Sequence, residues 1–280
     1  MTTTLTIPIT TTPFAALLAG HGLASWLAQL SRDVTGDMVR TRVANAGHSV
    51  VITAEADLSP AQARYHQPEL RWILTPKNQP APPGVAVLDY EAERRHNTAY
   101  YEQLKALRQA GIDPRKLPQE ERQRLEEQAP RPYWPAAAVI NQMGALNANN
   151  KAVERWASCA AVFPELAEII WIMGSGEPGA LDRAAEAWEA LAQRHGLERN
   201  PMLSATQVVN PEQGKGANKA KADKLAIGGQ ESFWLLEYFK YAGLYRGALP
   251  RVVQGRKDRK TYVLVPAHGG IELTWHTRAF

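Results

Sequence analysis

The sequence predicts an α+β fold: a mixed N-terminal α/β region, a helical middle and a small antiparallel β unit near the C-terminus. Three observations lead there. Two β-rich runs, from Met38 to Val43 and from Ser49 to Thr53, flank Asn45-Ala46-Gly47, a hairpin signal. From Asp89 to Ala242, most segments place apolar residues at helical spacing. After Gly243 come three short runs suited to strands, at 251–254, 261–265 and 271–275.

The elements follow in order. Leu5-Thr6-Ile7-Pro8-Ile9 reads as a short edge strand, the position where proline is tolerated. An apolar helix from Phe14 to Leu30 starts behind Thr12 as cap and Pro13, and Gly20 and Gly22 allow it a close neighbour. Asp89 to Ala110 is a polar helix with Tyr90, Ala99, Leu104 and Leu107 for an inner face. Leu117 to Ala129 is a second, highly charged helix with Pro118 in its first turn. Three prolines between Pro130 and Pro135 make a stiff connector. The asparagines of Asn147-Ala148-Asn149-Asn150 are expected to precede a helix from Lys151 to Val162, and Pro164 to start another. Ala180 to His195 is amphipathic and ends at Gly196; Gln230 to Ala242 is expected to stop at Gly243. The organisation expected is 1–130, mixed α/β with a charged helical arm, and 131–280, helical with a basic loop and the β unit.

Composition narrows the class. Apolar content of 45% and eight tryptophans indicate a folded chain. One cysteine, Cys159, excludes an internal disulfide framework and any Cys-rich zinc site, and its apolar setting makes it a core residue. The N-terminus lacks the basic start of a secretory signal, and no apolar run reaches the roughly 20 residues of a membrane span. A cytoplasmic location is expected. Charge is uneven. Residues 201–280 hold 12 Lys/Arg against 6 Asp/Glu, while residues 1–200 hold 20 against 22. Such asymmetry is the footprint of a polyanion-binding region or, more blandly, of a solvated basic face.

Most catalytic motifs fail on inspection. Gly174-Ser175-Gly176-Glu177-Pro178-Gly179 fits the dinucleotide pattern, but Glu177 sets a negative charge beside a pyrophosphate, and a helix-to-helix turn explains the glycines better. Gly214-Lys215 lacks the Ser/Thr and the spacing of a phosphate loop. No two of the seven histidines form the zinc pair of a helical H-E-x-x-H, and there is no Glu-x-Lys, Asp-x-Asp or G-x-S-x-G. No catalytic residue, metal or cofactor is expected.

What stands out is basic. Gly214 to Lys224 carries four lysines, Lys215, Lys219, Lys221 and Lys224, between glycines and small residues. Arg246 to Lys260 carries six cations against one acid, among them Arg251, Arg256, Lys257, Arg259 and Lys260. Each of these suits a phosphate. Asn147, Asn149 and Asn150, with Lys151 beside them and Gln142 nearby, offer amides for base edges, or simply cap a helix. Trp234, Tyr238 and Phe239 offer rings for stacking, or core.

Several of these stretches resemble a known family. Asn210-Pro211-Glu212-Gln213-Gly214-Lys215-Gly216-Ala217-Asn218-Lys219, the run Phe233–Tyr245 and Arg256-Lys257-Asp258-Arg259-Lys260-Thr261-Tyr262-Val263-Leu264-Val265-Pro266 are similar to the large subunit of type I CRISPR Cascade complexes. Ala19-Gly20-His21-Gly22-Leu23-Ala24 and Asn149-Asn150-Lys151 add to the likeness. It implies a non-catalytic role in antiviral defence, with guide RNA, target DNA, other Cascade subunits and a helicase–nuclease as partners. Such a subunit helps to recognise the protospacer-adjacent motif and to hold the opened R-loop, while guide pairing reads the sequence. Family members usually end in a helical bundle; here the resemblance implies either a compact variant or a separate small subunit that supplies it. The competing readings are a metal-dependent nucleic-acid-processing enzyme, a dinucleotide-binding oxidoreductase using Gly174, Gly176 and Gly179, and a scaffold whose basic face meets an acidic protein.

Overall fold

In the computed structural model, the residues described are 2–211, 231–252 and 259–263, apart from 11, 79, 131, 134, 135, 137, 138 and 140–142. Strands β1 (Thr3–Pro8), β2 (Thr41–Asn45) and β3 (Ser49–Ala54) form an antiparallel sheet in the order β1-β3-β2. Alternation sets the faces: Leu5, Ile52 and Val43 share one row of the register and are buried, while Thr4 and Arg42 are exposed. The hairpin turns at Gly47, whose φ of 87° is the left-handed conformation glycine tolerates. Strand β1 lies at the sheet edge, as its proline requires.

Helix α1 (Pro13–Thr35) covers the inner face of that sheet. Thr12 caps it, its hydroxyl accepting from the Ala15 amide at 3.4 Å, and it ends at Gly36 in the left-handed conformation. Every residue from Ala15 to Ala28 is buried, so α1 needs a second neighbour. That neighbour is α7 (Trp234–Gly247), which is buried along nearly its whole length. The two helices meet backbone to backbone. A Cβ on Gly22 would lie 2.1 Å from the Phe239 carbonyl oxygen, and one on Gly243 would lie 2.0 Å from that of Leu18. Gly243 therefore does not stop the last helix, as the sequence suggested; it sits inside the helix because only glycine fits the crossing.

Between these come α2 (Tyr90–Gln109), α3 (Gln119–Gln128), α4 (Met143–Ser158), α5 (Phe163–Met173) and α6 (Ala180–His195). Helices α2 and α3 make the charged arm, exposed over most of its surface and tied by Gln103 donating to the Leu125 carbonyl at 3.1 Å. Pro118 precedes α3 instead of entering its first turn. The expectation that the asparagines lie ahead of a helix is corrected: α4 begins at Met143 and contains them. The short pairs are β4 (Trp72–Leu74) with β5 (Val87–Asp89), parallel, then β6 (Met202–Ser204) with β7 (Glu231–Phe233) and β8 (Ala248–Val252) with β9 (Arg259–Val263), both antiparallel. The expected strand at 271–275 lies outside the described residues.

The fold is α+β, as the sequence predicts. One apolar core runs from Leu5 to Tyr245, so residues before and after 130 share it. Trp234, Tyr238 and Phe239 belong to that core, 2% exposed or less, and do not offer stacking faces to a nucleic acid. Cys159 is fully buried, and burial pushes its thiol up to about 12, which makes it an inert core residue. Among the described residues no single helix is long and apolar enough to cross a membrane.

Candidate nucleic-acid interface

Helix α7 lies within the basic third of the chain. At its start, β7 leads straight into Trp234 and pairs with β6, with Met202 opposite Phe233 and Ser204 opposite Glu231. That pair closes the stretch from 205 to 230, which includes Lys215, Lys219, Lys221 and Lys224; these four lie outside the described residues. At the other end, Gly247 passes directly into β8 and the hairpin with β9. There Arg251 is the register partner of Lys260, and Val252 that of Arg259. Arg256 and Lys257 lie outside the described residues.

A buried polar network fixes the first of these junctions. Lys240 Nζ donates to Glu237 Oε1 and to Asn210 Oδ1, each at 2.7 Å. Asn210 Nδ2 donates to Glu237 Oε2 at 3.1 Å and to the Thr206 carbonyl at 3.2 Å. The Thr206 and Tyr241 hydroxyls are 2.6 Å apart. Asn210, Glu237 and Lys240 are 3% exposed or less. The chain reaching Pro211 is thus bound to α7 by its own side chains. Sequence reasoning does not find this triad; the i, i+3 spacing of Glu237 and Lys240 is its only local signal.

The amides divide. Asn147 and Lys151, one helical turn apart, are exposed on α4. Asn149 and Asn150 are not available to a groove, and the assignment of groove contact to them is corrected. Asn150 Oδ1 accepts from the Ile73 amide and its Nδ2 donates to the Ile73 carbonyl, both at 2.9 Å. Asn149 Nδ2 donates to the Arg71 carbonyl at 2.9 Å, and its Oδ1 accepts from the Tyr245 hydroxyl at 3.1 Å. Together they pair the edge of β4 as a strand would. Asn150→Ala is expected to cost about 2 kcal/mol by orphaning the Ile73 amide, while the Ile73 carbonyl keeps the Asn78 side-chain amide at 2.7 Å. Asn147→Ala and Lys151→Ala should each stay within about 0.5 kcal/mol of wild type. Chemical denaturation of the three variants checks this.

Arg246 also turns inward. Its guanidinium donates to the Ser25 hydroxyl and lies 3.1 Å from Glu69 Oε2. The glycine run at 174–179 joins α5 to α6; no strand precedes it. The Gly174 carbonyl accepts from the Thr6 amide at 2.7 Å, so these glycines dock the turn against β1. The strand-to-helix turn that holds a dinucleotide is not built there. Among the described residues no three His, Cys, Asp or Glu side chains group as metal ligands do. No family model, curated protein or solved structure matches the chain.

Proposed function

We propose that this chain is a non-catalytic DNA-binding subunit of a type I CRISPR RNA-guided surveillance complex. In this reading it helps to recognise the protospacer-adjacent motif and stabilises opened target DNA for a separate helicase–nuclease. One observation carries the nucleic-acid part: both basic stretches are attached to opposite ends of a single buried helix. At about 1.5 Å per residue, the 14 residues of α7 set the attachment points roughly 20 Å apart. That spans roughly six base pairs of duplex, enough for several phosphates on each side. A helix locked on both faces makes the spacing of the two attachment points rigid. The stretches resembling Cascade large subunits, Asn210–Lys219, Phe233–Tyr245 and Arg256–Pro266, include the start and most of α7 together with β9.

The test is isolation of the chain from its native host. A short guide RNA and further subunits should accompany it; the chain alone, or with partners but no RNA, overturns the reading. In vitro, Arg259→Gln with Lys260→Gln should weaken duplex binding. The slope of log affinity against log salt should flatten by about 0.9 for each phosphate that is no longer neutralised. An unchanged slope removes these two residues from the interface.

A further inference from the structure

The charged arm of α2 and α3 buries almost nothing of its own. Glu93 is the one buried residue of α2, and α3 has none. Helix α3 is ten residues long, short of the roughly 12–15 at which an isolated helix is marginal in water. Such a helix takes its stability from packing, and its own chain supplies little. We propose that the arm pairs with the arm of a second copy of this chain, the two lying antiparallel about a two-fold axis.

Charge selects that occupant. Of the ten exposed residues of α2, four are Lys or Arg and one, Glu102, is acidic. Of the nine exposed residues of α3, four are Glu and two are Arg. Arg95, Lys105 and Arg108 on α2, and Glu120, Glu121 and Glu127 on α3, make no ion pair among the described residues. A phosphodiester strand laid on α2 would meet the acids of α3 beside it. A second copy suits both helices, because a two-fold interface brings each patch to its complement: α2 meets the other copy's α3, and α3 meets its α2.

The ends of the arm agree. Among the described residues four large apolar side chains are exposed, and two of them mark these ends. Ile112, 40% exposed, stands at the tip, its amide donating to the Leu107 carbonyl at 2.9 Å. Val87, 44% exposed, lies in β5 at the base, just ahead of α2. At about 1.5 Å per residue, the 20 residues of α2 set tip and base roughly 30 Å apart. A two-fold axis across the middle of the arm lays each tip on the other copy's base. The bond from Gln103 to the Leu125 carbonyl places α3 beside the second half of α2. The same axis therefore carries the acidic α3 to the first half of the other copy's α2, where Arg94 and Arg95 are exposed.

Size sets the strength. Helices about 10 Å wide, one about 30 Å and one about 15 Å long, offer roughly 450 Å² per copy. Two such faces make about 900 Å², the scale of weak and transient contacts, so pairing depends on concentration.

The full chain is followed by sedimentation velocity from low to high micromolar concentration. A shift from monomer to dimer as concentration rises, reversed at a salt concentration of about 0.5 M, is the expected result. Ile112→Asp should weaken the dimer about tenfold, the worth of one apolar side chain partly removed from water. Arg94→Glu with Arg95→Glu makes both helices acidic, and Glu120→Arg with Glu121→Arg makes both basic. All four side chains are exposed, so circular dichroism should match wild type. Each double variant should stay monomeric alone, and an equal mixture of the two should dimerise, since each offers the charge that the other lacks. A wild-type chain that stays monomeric, double variants that dimerise alone, or a mixture that stays monomeric overturns the proposal. Dimers that form only with added duplex give the arm to nucleic acid and overturn it too. None of these residues belongs to the interface at α7, so failure here is distinct from failure of the proposed function.

Discussion

Gly22→Ala and Gly243→Ala are each expected to destabilise the protein by about 3 kcal/mol, the upper end of overpacking costs. Helix propensity predicts the opposite sign, since alanine in a helix interior is favoured over glycine by about 1 kcal/mol. Geometry decides which wins. The added methyl would meet the Phe239 carbonyl oxygen at 2.1 Å or that of Leu18 at 2.0 Å, well inside van der Waals range. A peptide carbonyl cannot rotate aside as a side chain can. Nor can α1 retreat: its opposite side packs on the sheet, where a Cβ on Gly20 would already lie 2.7 Å from Val50 Cγ1. The helices must separate, opening gaps around Trp26 and Phe239 and weakening the dispersion attraction there. Because the two glycines serve one crossing, the double variant should cost less than the two single variants summed. Denaturant unfolding measures all three. A single variant within about 0.5 kcal/mol of wild type would show that the helices do not touch as described.

These two glycines also show how far the sequence could be read. Gly22 in an apolar helix was recognisable as a place of close approach, because nothing else explains glycine among Leu17, Leu18 and Leu23. Gly243 carried the same meaning but stood where a helix stop was equally plausible, and only the position of Leu18 separates the two. Helix α6 was legible to the residue, since its apolar spacing and Gly196 agree. Helix α4 was not: three asparagines within four residues oppose helix propensity, and the backbone of β4 that repays them is more than 70 residues away. Strands of three residues, such as β4 to β7, are too short to show a period. Of the candidate interface, the charge asymmetry and the cations were readable from composition. The means of anchoring them were not, because the triad joins Asn210 to α7 across 27 and 30 residues of chain.

Lys240→Met is expected to cost about 3–5 kcal/mol, the penalty for breaking a buried ion pair from one side. Glu237 is fully buried and has Lys240 as its cation at 2.7 Å. Without it the carboxylate keeps, among the described residues, only the Asn210 amide, too little for a charge removed from water. Replacing both charges, in Glu237→Leu with Lys240→Met, should recover most of the loss, because apolar side chains of similar volume remove the charges together. The double variant therefore separates two consequences. Its core is restored, yet Asn210 has lost both partners on α7, and the chain at Pro211 keeps its tie to that helix only through the Thr206 and Tyr241 hydroxyls among the described residues. Duplex affinity below wild type in this stable variant is the expected result, and it would assign the triad a positioning role toward the basic stretch that follows. Wild-type affinity would reduce the triad to a stabilising element. A Lys240→Met variant as stable as wild type would mean that Glu237 reaches water, and the anchoring of this junction by a buried ion pair would be disproved.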